Sequence, residues 1–381
     1  MIRRTITPRV DWQAKVEALG LIWHTVDGRP YWDESACYSF TLAQIEEIEA
    51  ATAELYRLFL EAGQHVVDRP DLLASFGIPA FCHDAIRRAW NDEPPALNFG
   101  RFDLGYDGKG PPKLFEFNCD TPTSLLEAAV VQWAWKEEVF PALDQFTSLH
   151  DRLVAKWCDL NPHLHGFLHF AHVADAAGED TITTSYLRDT AAAAGLTTLP
   201  IVMADIGWHA DERQFVDLEE RPILAVFKLY PWEWLVDEAF GPQLVQSLDR
   251  TLWLEPIWKM IWSNKAILPV LWKLFPHHPN LLGASREPPA GADAVAKPLL
   301  AREGANVSVR KAGAVIAQTG GDYGAAGFVY QELYPLPETA PGCFPVIGSW
   351  IVDGEPAGMG IREDGLITGN TARFVPHVIE G

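Results

Sequence analysis

Between residues 98 and 124 the chain reads NFGRFDLGYDGKGPPKLFEFNCDTPTS, and no other stretch limits its fold so tightly. Residues 98–107 and 113–118 alternate, and Asp107-Gly108-Lys109-Gly110 between them has turn chemistry, so a β-hairpin is predicted. Successive strand side chains point to opposite faces. Arg101 and Asp103 therefore share a face, as do Glu116 and Asn118, while Phe102, Leu104, Phe115 and Phe117 share the other. A turn centred between Lys109 and Gly110 sets Asp103 opposite Glu116 and Arg101 opposite Asn118, with Cβ atoms ~5 Å apart. Opposed carboxylates destabilise a sheet unless something compensates them. A hard divalent cation such as Mg²⁺ would do so, since it takes oxygen ligands and keeps sites for phosphate. A solvated polar face, with Arg101 neutralising one acid, is the alternative, and the hairpin alone leaves both open.

The chain has 381 residues, 48% apolar and 21% charged, enough for one large domain or two to three smaller ones. Its net charge of −21 argues against nucleic acid and against an anionic membrane surface, both of which favour basic patches. The same charge is compatible with a cationic substrate such as an amine or polyamine. No signal peptide is evident at the start, and no apolar run approaches the ~20 residues that span a bilayer, so a cytoplasmic protein is expected. Cysteines 37, 82, 119, 158 and 343 never form a CxxC pair, which points to reduced thiols rather than a disulfide frame or zinc cage. Cys119 reads as a buried strand-end residue rather than a nucleophile, because no histidine stands near it in sequence.

Helices are predicted over 8–20, from a Thr41 cap through a long run carrying Ile45, Ile48, Leu55, Leu58 and Phe59, and over 81–90. After Asn118, the run CDTPTS leads into LLEAAVVQWAWKEEVF. A strand ending at a helix N-terminus makes an anion-binding corner, with Thr121, Thr123 and Ser124 as caps, ligands or both. Residues 146–240 read as α/β, with strands near 166–173, 197–202 and 223–227 and a helix near 181–194. His169 and His172 fall on opposite faces of a strand with no interleaved carboxylate, so a metal cluster is not expected there. Trp232-Glu233-Trp234 reads either as an aromatic core with a rim acid or as a carboxylate between two indoles that holds a cation. Residues 251–280 are expected to be helical and rich in Trp, with Lys265 standing alone among apolar neighbours.

The last third is β-rich. A strand at 294–298 carries Lys297, and the loop 299–306, LLAREGAN, combines a glycine, a small residue and Arg302 in a form that can fold backbone N–H groups over phosphates. It lacks the GxxxxGK[ST] spacing of a P-loop. A strand at 327–333 runs into Gln331-Glu332-Leu333-Tyr334, which has the character of an adenine-reading linker, and a final hairpin turns at Asp353-Gly354 and presents Arg362.

The segments RFDLGYDG, FEFNCDTPTSLLEA, LYPWEW, SNKAILPVLW, KPLLAREGANV and GSWIVDGEPAGMGIRED with RFVPH follow one another over nearly the whole chain. Together they resemble the synthetase part of the glutathionylspermidine synthase family, an ATP-grasp group of carboxylate–amine ligases. The resemblance implies an α+β or α/β fold of ATP-grasp type with interleaved subdomains. It would form one unit over 1–381, with approximate parts 1–145 (helical and metal hairpin), 146–250 (α/β, substrate) and 251–381 (lid and nucleotide), and no amidase domain. It implies Mg²⁺ on Asp103, Glu116 and Asn118, and ATP phosphates on Lys265 and Lys297. The adenine would lie against Gln331, Glu332, Leu333 and Tyr334, under a mobile phosphate lid built from Arg302, Gly304 and Asn306. Arg101 would stabilise the transferring phosphoryl group, with Arg362 as a basic residue near the reaction centre. Thr121 and Thr123 would lie near the acyl acceptor, and Glu233 would recognise the amine.

The activity implied is ATP- and Mg²⁺-dependent joining of a peptide or small carboxylate to an amine through an acyl phosphate, with ADP and phosphate released. The chain resembles the short, stand-alone branch of the family more than its bifunctional members, and there glutathione and spermidine are not implied as substrates. A nucleotide-binding regulatory protein with ATPase activity only, and a metal-dependent hydrolase, are the other readings. No nucleic-acid or membrane partner is expected, and a homodimer is left as an open assembly state.

Overall fold

The computed structural model describes residues 1–26, 28–175, 178–370 and 372–381. The alternating stretch forms the hairpin expected of it. Strands Gly100–Gly105 and Lys113–Asn118 pair antiparallel with Asp103 opposite Glu116 and Arg101 opposite Asn118. The free edge of Gly100–Gly105 is taken by Phe344–Val352, which pairs in turn with Glu355–Asp364 and then Arg373–Phe374, all antiparallel. A single mixed-origin sheet thus draws strands from two distant parts of the sequence.

One face of this sheet is covered by the long helix Leu42–Val67. A reciprocal cap starts it. Gln44 N–H donates to the Thr41 hydroxyl and Thr41 N–H donates to the Gln44 side chain, so two of the otherwise unpaired first-turn donors are satisfied. Its apolar stripe, Ile45, Ile48, Leu55, Leu58 and Phe59, is buried. Phe59 meets Phe102 and Phe117 edge-to-face at 5.5 and 5.1 Å, and each such buried ring contributes about 1.5–3 kcal/mol by leaving water. The other face packs against the π-helical turn Glu127–Val131 and helix Leu149–Leu160, forming a second core around Trp135, Trp157 and Trp350.

Beside this layer stands a parallel sheet in the order Leu252–Leu254, Ala225–Leu229, Leu168–His172, Thr198–Val202, flanked by helix Glu179–Ala193. Its first strand corrects an expectation. Residues 251–280 are not continuously helical but open with a strand and continue as two short helices, Lys259–Trp262 and Ile267–Leu274. The apolar run 252–254 satisfies its backbone by pairing with 225–227, which outweighs local helix preference. Asn264 then accepts from Ala266 N–H at 2.9 Å and separates the two helices. The helix expected over 8–20 is likewise shorter, spanning Trp12–Ala18.

A third, antiparallel sheet has the order Ala284–Ser285, Phe328–Glu332, Ala294–Pro298, Ser308–Lys311, Ala314–Gln318. A small sheet of Ile2–Thr5, Ala36–Thr41 and His377–Glu380 joins the two ends of the chain. Among the described residues no helix is long and apolar enough to cross a membrane.

Candidate active site

The polar face of the hairpin opens into a cavity of about 540 Å³ between the central sheet, the parallel sheet and the third sheet. Arg101 lies against Asp103, donating from Nε to Oδ1 at 2.8 Å and from Nη2 to Oδ2 at 3.3 Å, while its Nη1 donates to the Thr123 carbonyl at 2.5 Å. Burial opposes the charge of this guanidinium, but Asp103 outweighs burial and raises its pKa. Arg362, from the neighbouring long strand, donates to Asp103 Oδ2 at 2.6 Å. The Asn118 amide bridges the two acids, 3.1 Å from Asp103 and 3.4 Å from Glu116.

Glu116 pairs with Lys265 at 3.0 Å. Burial alone would raise its carboxyl, yet Lys265 and Lys297 override burial and hold it down at about 2. The pairing that threatens the hairpin is thus compensated in this conformation by basic side chains from three other elements. Lys297 is buried as well. It donates to the Gln331 side chain at 2.7 Å and the Phe115 carbonyl at 3.0 Å, and desolvation brings it down to about 8 against the pull of Glu116. Lys265 also donates to the Ala301 carbonyl at 2.8 Å, which ties it to the root of the 299–306 loop.

A β-bulge corrects one detail of the hairpin. The register slips after Asp103, so that Leu104 faces Leu114 and one residue of the second strand is left over. Leu114 takes the core position, and Phe115, expected among the apolar residues beside Phe117, turns into the cavity 6.2 Å from the Tyr334 ring. Gly105 makes this possible, because a Cβ there would lie 2.5 Å from the Phe115 ring and 2.7 Å from Tyr334.

The 299–306 loop reaches across the cavity. Arg302 donates to the Thr121 hydroxyl, lies 4.0 Å from Glu233 and sits 5.4 Å over the Trp234 ring. Gly304 has φ +68°, and a Cβ there would lie 2.6 Å from the Thr368 carbonyl, so only glycine lets the loop settle on that segment. Asn306 is not brought to the cavity. Its side-chain oxygen accepts from Tyr323 N–H at 3.1 Å, holding the loop to the 319–324 turn. Nor do two indoles flank Glu233: Trp232 is fully buried with its N–H on the Glu255 carbonyl, and only Trp234 faces the site. Burial raises the Glu233 carboxyl, Asp120 adds to the rise, and Arg302 opposes it.

Every other candidate site residue expected from the sequence lines this cavity, including Thr121, Thr123, Gln331, Glu332, Leu333 and Tyr334. The Gln331 side chain is committed to Lys297 and to the Leu114 carbonyl, so what it offers a ligand is its backbone. Sequence reasoning missed Asp120, Lys228, Glu179 and Asp180. Asp120 accepts from buried Lys228 at 2.6 Å and from Trp232 N–H at 2.8 Å, which fixes the corner against the 228–234 segment. Glu179 and Asp180, at the start of helix Glu179–Ala193, line the end of the cavity near Thr123, and burial raises both carboxyls, Asp180 to about 6. Acids following Gly178 at a helix start were the available signal. Cys119 is fully buried and burial pushes its thiol up, which fits an inert core position.

The family description "glutathionylspermidine synthase preATP-grasp" matches residues 3–380. A Haemophilus influenzae protein carrying the provisional name acid–amine ligase is 40% identical over 365 residues, covering 92% of this chain and 91% of that one. Trypanothione synthetase of Crithidia fasciculata is 30% identical over 84% of this chain and 53% of its own length. The bifunctional glutathionylspermidine synthetase/amidase of Escherichia coli is 28% identical over 86% of this chain and 56% of its own. The chain therefore spans about half the length of the latter two relatives. A glutathione synthetase-like effector of Globodera pallida superposes with a TM-score of 0.60 at 10% identity, covering 97% of this chain and 95% of that one, a likeness of fold.

Proposed function

The chain belongs to the glutathionylspermidine synthase preATP-grasp family, and we propose that it is an ATP- and Mg²⁺-dependent ligase on an ATP-grasp scaffold, joining a small or peptide carboxylate to an amine through an acyl phosphate. The observation that carries this reading is a cavity with two chemical poles. Arg101, Arg362, Lys265 and Lys297 gather around the Asp103–Glu116 face, while Glu179, Asp180 and Glu233 line the cavity around Arg302 and the 121–124 corner. One pole suits phosphate and a carboxylate, the other a protonated amine.

A carboxylate is a poor electrophile, so amide formation in water requires activation. In the proposed sequence a substrate carboxylate oxygen forms a bond to the γ-phosphorus and ADP leaves. An amine nitrogen then bonds to the acyl carbon while phosphate departs with the C–O electron pair. Asp103 and Glu116 offer carboxylate oxygens on one face, and the Asn118 amide, whose nitrogen now donates to both, would turn its oxygen to them to complete a set that fits a hard divalent cation. Held by these residues, such an ion would supply positive charge where the phosphoryl group is transferred. Lys265 and Arg362, now paired with Glu116 and Asp103, would turn to phosphate oxygens as the acids take up their ligand. Phosphoryl transfer demands positioning and charge neutralisation more than covalent help. Loss of one cationic contact to the developing charge typically costs about 3 kcal/mol, or a hundredfold in rate. The 299–306 loop would shield the acyl phosphate from water.

The test is ADP release with Mg²⁺, a panel of carboxylates and peptides, and hydroxylamine as a general amine trap. Hydroxamate formed in step with ADP is the expected result. ADP without hydroxamate for any acid would favour an ATPase-only regulatory protein.

A further inference from the structure

Tyr31 and Glu127 lie behind the 121–124 corner, away from the lysines. Tyr31 reaches the cavity wall, and its hydroxyl donates to Glu127 Oε1 at 2.8 Å and stands 3.2 Å from the Ser124 hydroxyl. Glu127 is 2% exposed and sits behind Tyr31. The charged and titratable groups facing it are Tyr31 from the 31–34 segment, Glu179 from the helix Glu179–Ala193, and Arg101 from the hairpin. Burial lifts its carboxyl to about 7, against the pull of Tyr31 and Arg101. Burial also holds the Tyr31 phenol well above its ordinary value, so it stays protonated at neutral pH.

Local backbone geometry aims the pair. Ser124 has φ +65°, and Glu127 opens a π-helical turn, a distortion found mostly at functional sites. The Tyr31 ring is fixed by Trp23, with centroids 4.0 Å apart. A position that needed only packing would be better filled by an apolar pair, because a buried carboxyl is expensive to desolvate. The attacking amine must also lose a proton, and its acceptor should be a carboxyl reached from the acidic pole.

We propose that Tyr31 and Glu127 form a relay that takes the proton of the attacking amine, an inference that rests on the ligase reading. An amine that binds protonated first gives up one proton to solvent to free its lone pair. As the C–N bond then forms and phosphate leaves, the second nitrogen proton passes to the Tyr31 oxygen while the Tyr31 proton passes to Glu127 Oε1. Tyr31 begins and ends neutral, and Glu127 ends as a neutral acid that returns its proton to solvent after product release. Tyr31 is the group that meets the amine, and Glu127 acts through it.

The experiment compares wild type, Glu127→Gln and Tyr31→Phe with an acid that gives hydroxamate in the ADP screen, using hydroxylamine, hydrazine and ethylenediamine as acceptors of rising basicity. Both variants should lose turnover more steeply along that series, a few-fold with hydroxylamine and on the order of a hundredfold with ethylenediamine. The rise of wild-type kcat through pH about 7 should disappear in both. Equal loss with all three amines would make the pair structural, and no loss would make it a bystander. Either overturns the relay while wild-type hydroxamate keeps the ligase reading. If wild type forms no hydroxamate with any acid, the ligase reading falls and takes the relay with it. Tyr31→Phe keeps the ring against Trp23, so it decides the matter even if Glu127→Gln folds poorly.

Discussion

Gly348 offers a way to move Arg101 without touching it. It lies beside Asp103 in the central sheet, and a Cβ there would lie 2.6 Å from Arg101 Cδ and 3.1 Å from Cγ. Carbon atoms settle at about 3.5–4.0 Å, so in Gly348→Ala the arginine must retreat by about 1 Å. It has no free direction: Asp103 and the Thr123 carbonyl hold its guanidinium, and Trp350 lies 5.8 Å away. Gly348 has no positive φ, so the penalty arises from the contact alone. Overpacking of this kind costs about 1–3 kcal/mol of stability. A reacting group misplaced by about 1 Å loses on the order of a hundredfold in rate. The expected variant therefore melts cooperatively at a lower temperature and binds ATP within about threefold of wild type by calorimetry, because Lys265 and Lys297 are untouched. Its kcat for hydroxamate formation falls by on the order of a hundredfold. Unchanged kcat would refute the claim that Arg101 must be held where the sheet puts it.

Three further outcomes are expected. Asp103→Ala should abolish Mg²⁺-dependent turnover while circular dichroism stays native, and retained turnover would sink the metal assignment. Lys228→Met leaves Asp120 buried with Trp232 N–H as its remaining partner, and should destabilise the protein by about 3–5 kcal/mol in urea titration. An unchanged midpoint would mean that the ion pair does not hold the corner. His377, fully buried, accepts from Phe146 N–H at Nε2 and meets the Gln132 oxygen at Nδ1, so the neutral ring is the form that fits. Burial lowers it from 6.5 to about 3, so the unfolded chain protonates first. Stability present above pH 6.5 should decline as pH falls toward about 3. His377→Asn should flatten that decline between pH 7 and 5, and equal slopes in the two proteins would contradict the assignment.

The facing of Asp103 with Glu116 was legible because a period of two and a short turn leave little choice of register. The bulge was not, since what turns Phe115 into the cavity is the space beside Gly105 and the Tyr334 ring, and Tyr334 arrives from far along the chain. Residues 252–254 misled for a similar reason: their strand exists only because 225–227 stands beside it. Lys265 looked bland on its own and was singled out through the resemblance, and its ion pair with Glu116 is a tertiary contact. Tyr31, Glu127 and Glu179 come from separate elements and share no spacing rule that a linear reading could detect. Asn306 was grouped with the lid by position, whereas its side chain serves the loop's own turn.

The central sheet also imposes an order of events during synthesis. The hairpin strands are made early, but Arg362, which meets Asp103, follows 259 positions later, and the strand that covers the hairpin edge is just as late. Until then a newly made chain lacks Arg362 beside Asp103 and carries a row of unpaired backbone groups along the hairpin edge. Such a segment gains little by folding before the C-terminal strands emerge, so the centre is completed late and all at once. Cutting the chain between these regions would yield two fragments that each lack part of the reaction centre, and that could regain it only by finding one another.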